Sequence, residues 1–280
     1  MIFVASTADF SENRIGTVEI PIPVSENTTK VLSYFSASPT QKVKDALNWF
    51  VYNLEQDNLW SKLKYISMPF LASNVKEALT NVQTGEIWVK GDLFEDTAAN
   101  TGSFTLSNKA LKVVAGQPVA YLRFDQTTTD DFTLGAYIHE KGEGSGKNDI
   151  IFGQGTSNYF NFMYEKQGAN TFNTAKPAVS HDFYEGITDN HFFGGTLHER
   201  QSRAYHGASV SNKTFTTANL NIRGIAFGAK DVKTYQDGTT WAYMRQSLAL
   251  FFFGDGMTAE EFTRLKGYVD NLMKEVYELS

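Results

Sequence analysis

The chain of 280 residues has no cysteine, only six prolines and a low 20% of charged residues. Without cysteine it cannot be a disulfide scaffold, hold a metal through thiolates or use a thiol nucleophile. Long apolar runs are also missing. The most apolar stretch, Leu248 to Phe253, falls far short of the roughly 20 residues that span a bilayer as a helix. The start, Met1 to Ser6, lacks a basic region and a long apolar segment, so no secretory leader is expected. Positive charge is in deficit, with 25 Lys and Arg against 31 Asp and Glu, a net charge of −6. That balance argues against a general binder of nucleic acid or of an anionic membrane. Two glycosylation-like triplets, at Asn27 and Asn212, read as chance without a leader.

Aromatic residues are plentiful. They make up 14% of the chain, with 22 Phe and 13 Tyr. So much aromatic bulk with so little charge excludes a disordered chain and suits a β-rich body that folds in a reducing cytoplasm. At roughly 150 residues per domain the length allows one large domain or two small ones. There is no internal repeat of 20 to 50 residues.

The pattern divides the chain into three parts. Residues 1–36 lack a helical period, and Thr17 to Val24 alternates like an extended segment, with Pro21 and Pro23 confining it to an edge. This part is expected to be an extended arm. Residues 37–85 are expected to hold a helical hairpin and a linker. Ser38 reads as an N-cap, Pro39 as the first helical residue and Gln41 as the partner in a capping box. Val43, Ala46, Leu47, Phe50 and Leu54 form one apolar stripe, and Asp57-Asn58 ends it. Leu59, Leu63 and Ile66 suggest a second short helix, stopped before Pro69.

Residues 86–280 change to a period of two. Phe132, Leu134, Ala136 and Ile138 alternate with Thr133, Gly135, Tyr137 and His139, which predicts a strand with one wet face. Strands are also expected over 119–124, 149–153, 159–164, 192–197, 203–206, 220–227 and 247–253. Turn-rich clusters such as Gly142 to Gly146 separate them. Short strands at this spacing predict a mostly β, antiparallel sandwich or jelly roll. A last helix over 258–278 closes the chain. Thr258 caps it, Glu261 completes a capping box, and Phe262, Leu265, Val269, Leu272, Met273 and Val276 form its stripe.

Two segments carry a resemblance. Ala46-Leu47-Asn48-Trp49-Phe50 with Leu54, followed by Asn58-Leu59-Trp60-Ser61-Lys62-Leu63-Lys64-Tyr65-Ile66-Ser67-Met68-Pro69-Phe70-Leu71, is similar to a phrase of tailed-bacteriophage structural proteins. In those proteins it precedes a concanavalin A-like jelly roll. Ala249 to Phe262, a final strand running into a capped helix, matches their close. The middle, through Phe132 to Ile138, Ile151-Phe152-Gly153 and Tyr159 to Phe162, resembles laminin-G-like and pentraxin-like sandwiches. The resemblance covers about residues 40–280. It implies a virion fibre protein, or a capsid or tail decoration protein, made in the bacterial host's cytoplasm. It also implies virion partners, a homo-oligomer (a trimer by analogy with fibres) and attachment to host surface glycans.

Sandwich glycosidases place paired carboxylates on one strand face, and no Glu-x-Asp-x-Glu spacing occurs here. Asp182, Glu185 and Asp189 are the strongest acid cluster for the alternative reading, a polysaccharide-cleaving hydrolase or lyase. Solvated loop acids are the plainer explanation, so the expectation is a non-enzymatic protein. Without a leader, a secreted bacterial lectin would need an export route that the sequence does not show. All five histidines, 139, 181, 191, 198 and 206, lie in one third of the chain, but in no metal-binding spacing. They read as structural or surface residues. Asp125, Asp130 and Asp131 lack the calcium-loop spacing. Gly142 to Lys147 fails as a phosphate loop, because a strand and not a helix follows it. No cofactor is implied. Sugar binding uses an aromatic plane with polar neighbours, and two segments offer it. They supply five carbohydrate-binding candidates: Asp182 and Tyr184 in one, and Tyr235, Asp237 and Trp241 in the other.

Overall fold

The computed structural model describes residues 22–87, 104–113, 122–128, 131–141, 149–154, 161–165, 170–173, 180–184, 188–214, 222–227 and 246–279. In chain order the helical elements are α1 (Glu26–Ser33), α2 (Gln41–Gln56), α3 (Val75–Ala78) and α4 (Ala259–Tyr277). Strand β1 (Leu63–Ser67) lies between α2 and α3. The strands between α3 and α4 begin with β2 (Phe104–Ser107), β3 (Ala110–Val113), β4 (Leu122–Thr128), β5 (Phe132–Glu140), β6 (Asp149–Gln154) and β7 (Asn161–Glu165). They continue with β8 (Asn170–Asn173), β9 (Ser180–Phe183), β10 (His191–His198), β11 (Gln201–His206), β12 (Ser209–Thr214), β13 (Ile222–Phe227) and β14 (Ser247–Gly254).

The strands form two antiparallel sheets. One runs β12-β11-β10-β5-β14-β3-β2, with β1 also paired to β14. The other runs β4-β13-β6-β7-β8-β9. Strands distant in sequence lie side by side, as β5 does between β10 and β14. The fold is the expected mostly β, antiparallel jelly-roll sandwich.

A third layer of helices lies on the larger sheet. Along β5, Phe132, Leu134, Ala136 and Ile138 share a buried cluster with Ile151 and Phe183 of the other sheet. Tyr137 joins a second cluster with Leu47, Phe50 and Leu54 of α2 and with Phe262, Leu265 and Val269 of α4. Both faces of β5 are therefore covered, and Phe132 to Ile138 are all buried. The expected wet face does not exist there, because the helices occupy it. The run Leu248 to Phe253 has the same cause. Its residues divide between the two clusters, and a register shift near Ala249 sends Ala249 and Leu250 together toward the helices.

Three expectations of the first 85 residues are corrected. Residues 26–33 are not an extended arm. Ser25 caps α1 by accepting from the Thr28 backbone N–H, and Val31 and Thr28 are buried. The cap of α2 is Thr40 and not Ser38, since the Thr40 side chain accepts from Val43 N. Residues 59–66 are not a helix. A short 3-10 turn, Trp60–Lys62, leads into β1, which pairs with Phe251 to Gly254. The misleading helical spacing has a local reason. A register irregularity between Leu63 and Tyr65 lets Leu63 and Ile66, three apart, enter the same helix-side cluster. The larger sheet therefore begins inside the segment expected to precede the sandwich. Of the alternation at Thr17 to Val24, residues 17–21 lie outside the described residues.

The closing helix is as expected. Thr258 and Glu261 form a reciprocal capping box, and all six stripe residues are buried. Burial pushes the Glu261 carboxyl up, but the Lys62 ammonium at 2.7 Å and the Thr258 groups hold it below the usual range. That pair ties the start of α4 to the turn before β1.

Candidate functional site

Strand β9 is at one edge of the smaller sheet, beside β8. Its side chains alternate in the manner of any strand, but here the two directions differ sharply in environment. His181 and Phe183 point inward and are buried. Phe183 meets Phe193 edge-on at 6.4 Å between ring centroids and stacks on His206 at 5.8 Å. Asp182 is exposed and Tyr184 is 80% exposed, so the acid and the aromatic ring share the outer side. Two residues along a strand are roughly 6.6 Å apart, close to the reach of one sugar ring. Phe183 and His181 are therefore the anchors that present Asp182 and Tyr184 to solvent.

The segment beyond Tyr184 is pinned at its far end. Asp189 Oδ1 accepts the Lys141 backbone N–H at 2.8 Å, and Asn190, at φ 53°, pairs through Oδ1 with His139 Nδ1 at 2.8 Å. Asp189 thus has a structural task at the end of β5. Glu185 lies outside the described residues, as do Tyr235, Asp237 and Trp241 of the second candidate segment. The Gly142 to Lys147 loop is outside them too.

Beneath the outer pair, His181 Nε2 is 2.9 Å from the Ser202 hydroxyl, which in turn donates to Thr196 O at 2.8 Å. Burial drives the His181 pKa down to about 4. The nearby Lys213 charge adds to this, and Asp182 opposes it. His181 is therefore a neutral hydrogen-bonding residue at neutral pH. His191 and His206 are also interior, with ring centroids 4.7 Å apart. His198 sits 3.1 Å from Asp131, whose other oxygen accepts the Glu199 N–H. Asp130 and the side chain of Asp125 are outside the described residues. Among the described residues no three His, Asp or Glu side chains gather as a metal site.

The site can stack one ring face and accept hydrogen bonds through a carboxylate. Of the other two acids expected beside Asp182, Glu185 lies outside the described residues and Asp189 is bonded to the Lys141 backbone N–H. Asp182 and Tyr184, expected from the sequence as candidates, are exposed, while the buried His181 and Phe183 beneath them carried no sequence signal for the site.

No family model matches the chain, and no curated protein matches its sequence. Solved structures do match. One is domain 4 of AbnA, a GH43 extracellular arabinanase from Geobacillus stearothermophilus, in complex with arabinotriose. The match covers 73% of this chain and 98% of that one at 9% identity, with a TM-score of 0.50. Bacillus licheniformis β-glucanase matches over 68% of this chain and 97% of its own, at 14% identity and a TM-score of 0.40. The enzymatically active domain of tailspike protein 2 from bacteriophage CBA120 matches over 69% of this chain and 33% of its own, at 11% identity and a TM-score of 0.41. At 9% identity the property shared with the arabinanase domain is the fold.

Proposed function

We propose that the chain is a non-enzymatic structural protein of a tailed-phage particle, a fibre or a capsid or tail decoration component, that holds host surface glycan on the outer side of β9. The observation that carries the binding part is Tyr184, a large aromatic ring left 80% exposed two residues beyond the exposed Asp182. An exposed ring beside a carboxylate suits a sugar, whose C–H face stacks while its hydroxyls donate. The virion part is supported by the phrase over residues 46–71 and the close over 249–262, which resemble tailed-phage structural proteins. A single shallow contact is weak, and a trimer of such sites would gain strength through avidity.

Two measurements test this. Mass spectrometry of purified particles of the encoding phage should find the chain, and its absence from them overturns the virion reading. Binding of immobilised host envelope polysaccharide should weaken at least tenfold in Tyr184→Ala. Undiminished binding by that variant removes the β9 site.

Cleavage of polysaccharide is the second reading, and the exposed Asp182 is what favours it. Its test is release of reducing ends from the same polysaccharide. The triple variant Asp182→Asn, Glu185→Gln, Asp189→Asn should abolish that release if these acids do the chemistry.

A further inference from the structure

A second concave feature, which shares no lining residue with β9, lies where the first turn of α2 and the last turn of α4 meet the β2–β3 turn. It is a cleft of about 470 Å³ lined in part by Asn108, His139 and Tyr277. That volume falls within the range of roughly 300–1,000 Å³ usual for small-ligand sites. We infer that this cleft is a separate saccharide site, selective for a neutral sugar.

Three features converge. The first is an aromatic wall fixed at both ends. The His139 and Tyr277 rings lie parallel within 10°, with centroids 3.9 Å apart. His139 is held by Asn190, and the Tyr277 hydroxyl donates to Lys109 O at 3.0 Å. Rings already locked in place lose little freedom when a ligand stacks on them.

The second feature is a fixed amide. Asn108 and Lys109 are the two central residues of the β2–β3 turn, at φ 49° and 60°, the backbone of a tight type I′ hairpin. Asn108 donates from Nδ2 to Glu140 Oε1 at 3.0 Å, while Ser247 donates to the other oxygen at 2.9 Å. These two bonds hold the Glu140 carboxyl below its usual range. The amide therefore stays at the cleft, with its carbonyl oxygen an acceptor for a hydroxyl.

The third feature is charge. Lys42 lies 3.3 Å from Glu275 and 3.7 Å from Glu278. With Lys109, these lining residues carry two positive and two negative charges, which sum to zero. A cleft balanced in this way has no net pull on an acidic glycan, so its aromatic wall and amide select the uncharged sugar.

The inference rests on the glycan-binding reading but uses none of the β9 residues, and the test separates the two. Cellotriose, maltotriose and chitotriose serve as neutral probes, and a trimannuronate as the acidic one. Each is titrated calorimetrically into wild type, Asn108→Gly, His139→Ala and Tyr184→Ala. Glycine keeps the left-handed turn, so Asn108→Gly preserves the fold, and circular dichroism verifies this for every variant. At least one neutral trisaccharide should bind. Its affinity should fall at least tenfold in Asn108→Gly and in His139→Ala, and stay unchanged in Tyr184→Ala. The trimannuronate should not compete for this site. Neutral-sugar affinity untouched by both cleft variants overturns the inference, as does its loss in Tyr184→Ala alone. Failure of the wild type to bind any neutral trisaccharide also overturns it. Envelope polysaccharide binding that persists and depends on Tyr184 then leaves the β9 reading standing.

Discussion

His181 and Tyr184 are three residues apart and sit in opposite environments. One is shut into the sandwich and the other extends into solvent. Their roles separate accordingly, and so do their predicted responses to change. His181 has a pKa near 4 when folded, below the roughly 6.5 of an exposed imidazole. Between these values the unfolded chain binds the extra proton, so stability is full above about pH 6.5 and declines as pH falls toward 4. The loss amounts to about 3 kcal/mol at most. Urea midpoints measured from pH 7 to pH 4.5 should show it. In His181→Asn the decline over that window should be smaller, and an identical decline would reject His181 as its source. Tyr184 has no such structural role. Its replacement by alanine should leave the unfolding free energy from urea titration within about 0.5 kcal/mol of wild type while weakening glycan binding.

Among the elements, α4 and β1 differ in how plainly their residues announce them. Thr258 caps α4 in a capping box, and the stripe from Phe262 to Val276 is buried as its spacing implies. Thr258→Ala should cost about 1 kcal/mol by chemical denaturation, and Thr258→Ser much less. A loss as large in the serine variant as in the alanine variant would mean that the cap hydroxyl is not the cause. Strand β1 shows the opposite case. Its apolar residues mimic a helix because an irregularity near Tyr65 turns two residues of odd spacing to one side. Only the partner strand reveals this. Gly254, the last residue of β14, opposes Leu63 so closely that a Cβ there would lie 2.2 Å from Lys62 O. Gly254→Ala should therefore destabilise the protein by about 3 kcal/mol. A neutral alanine would show that β1 can shift away from β14.

At the scale of the whole molecule, three layers explain the composition. The sandwich cluster and the helix-side cluster share one sheet between them, so its central strands need apolar residues on both faces. Most of the described phenylalanines are spent here, including Phe192, Phe193, Phe251, Phe252 and Phe253. The proposed fibre role predicts an assembly of three times the chain mass, which sedimentation equilibrium would measure. A monomer at all concentrations would remove avidity from the proposal.

The sequence by itself determined the class of fold, the closing helix with its cap and the positions of most central strands. These depend on periods and caps, which are local physics. Tertiary structure decided the rest. It made a strand of 63–67, because pairing with β14 outweighed an apparent helical period. It covered the expected wet face of β5, because a face is dry or wet according to what packs on it, and alternation cannot report that. It also brought Asn108, His139 and Tyr277 to one cleft from three distant parts of the chain. No spacing rule links residues so far apart, since only the stacking of helices on the larger sheet sets their distance.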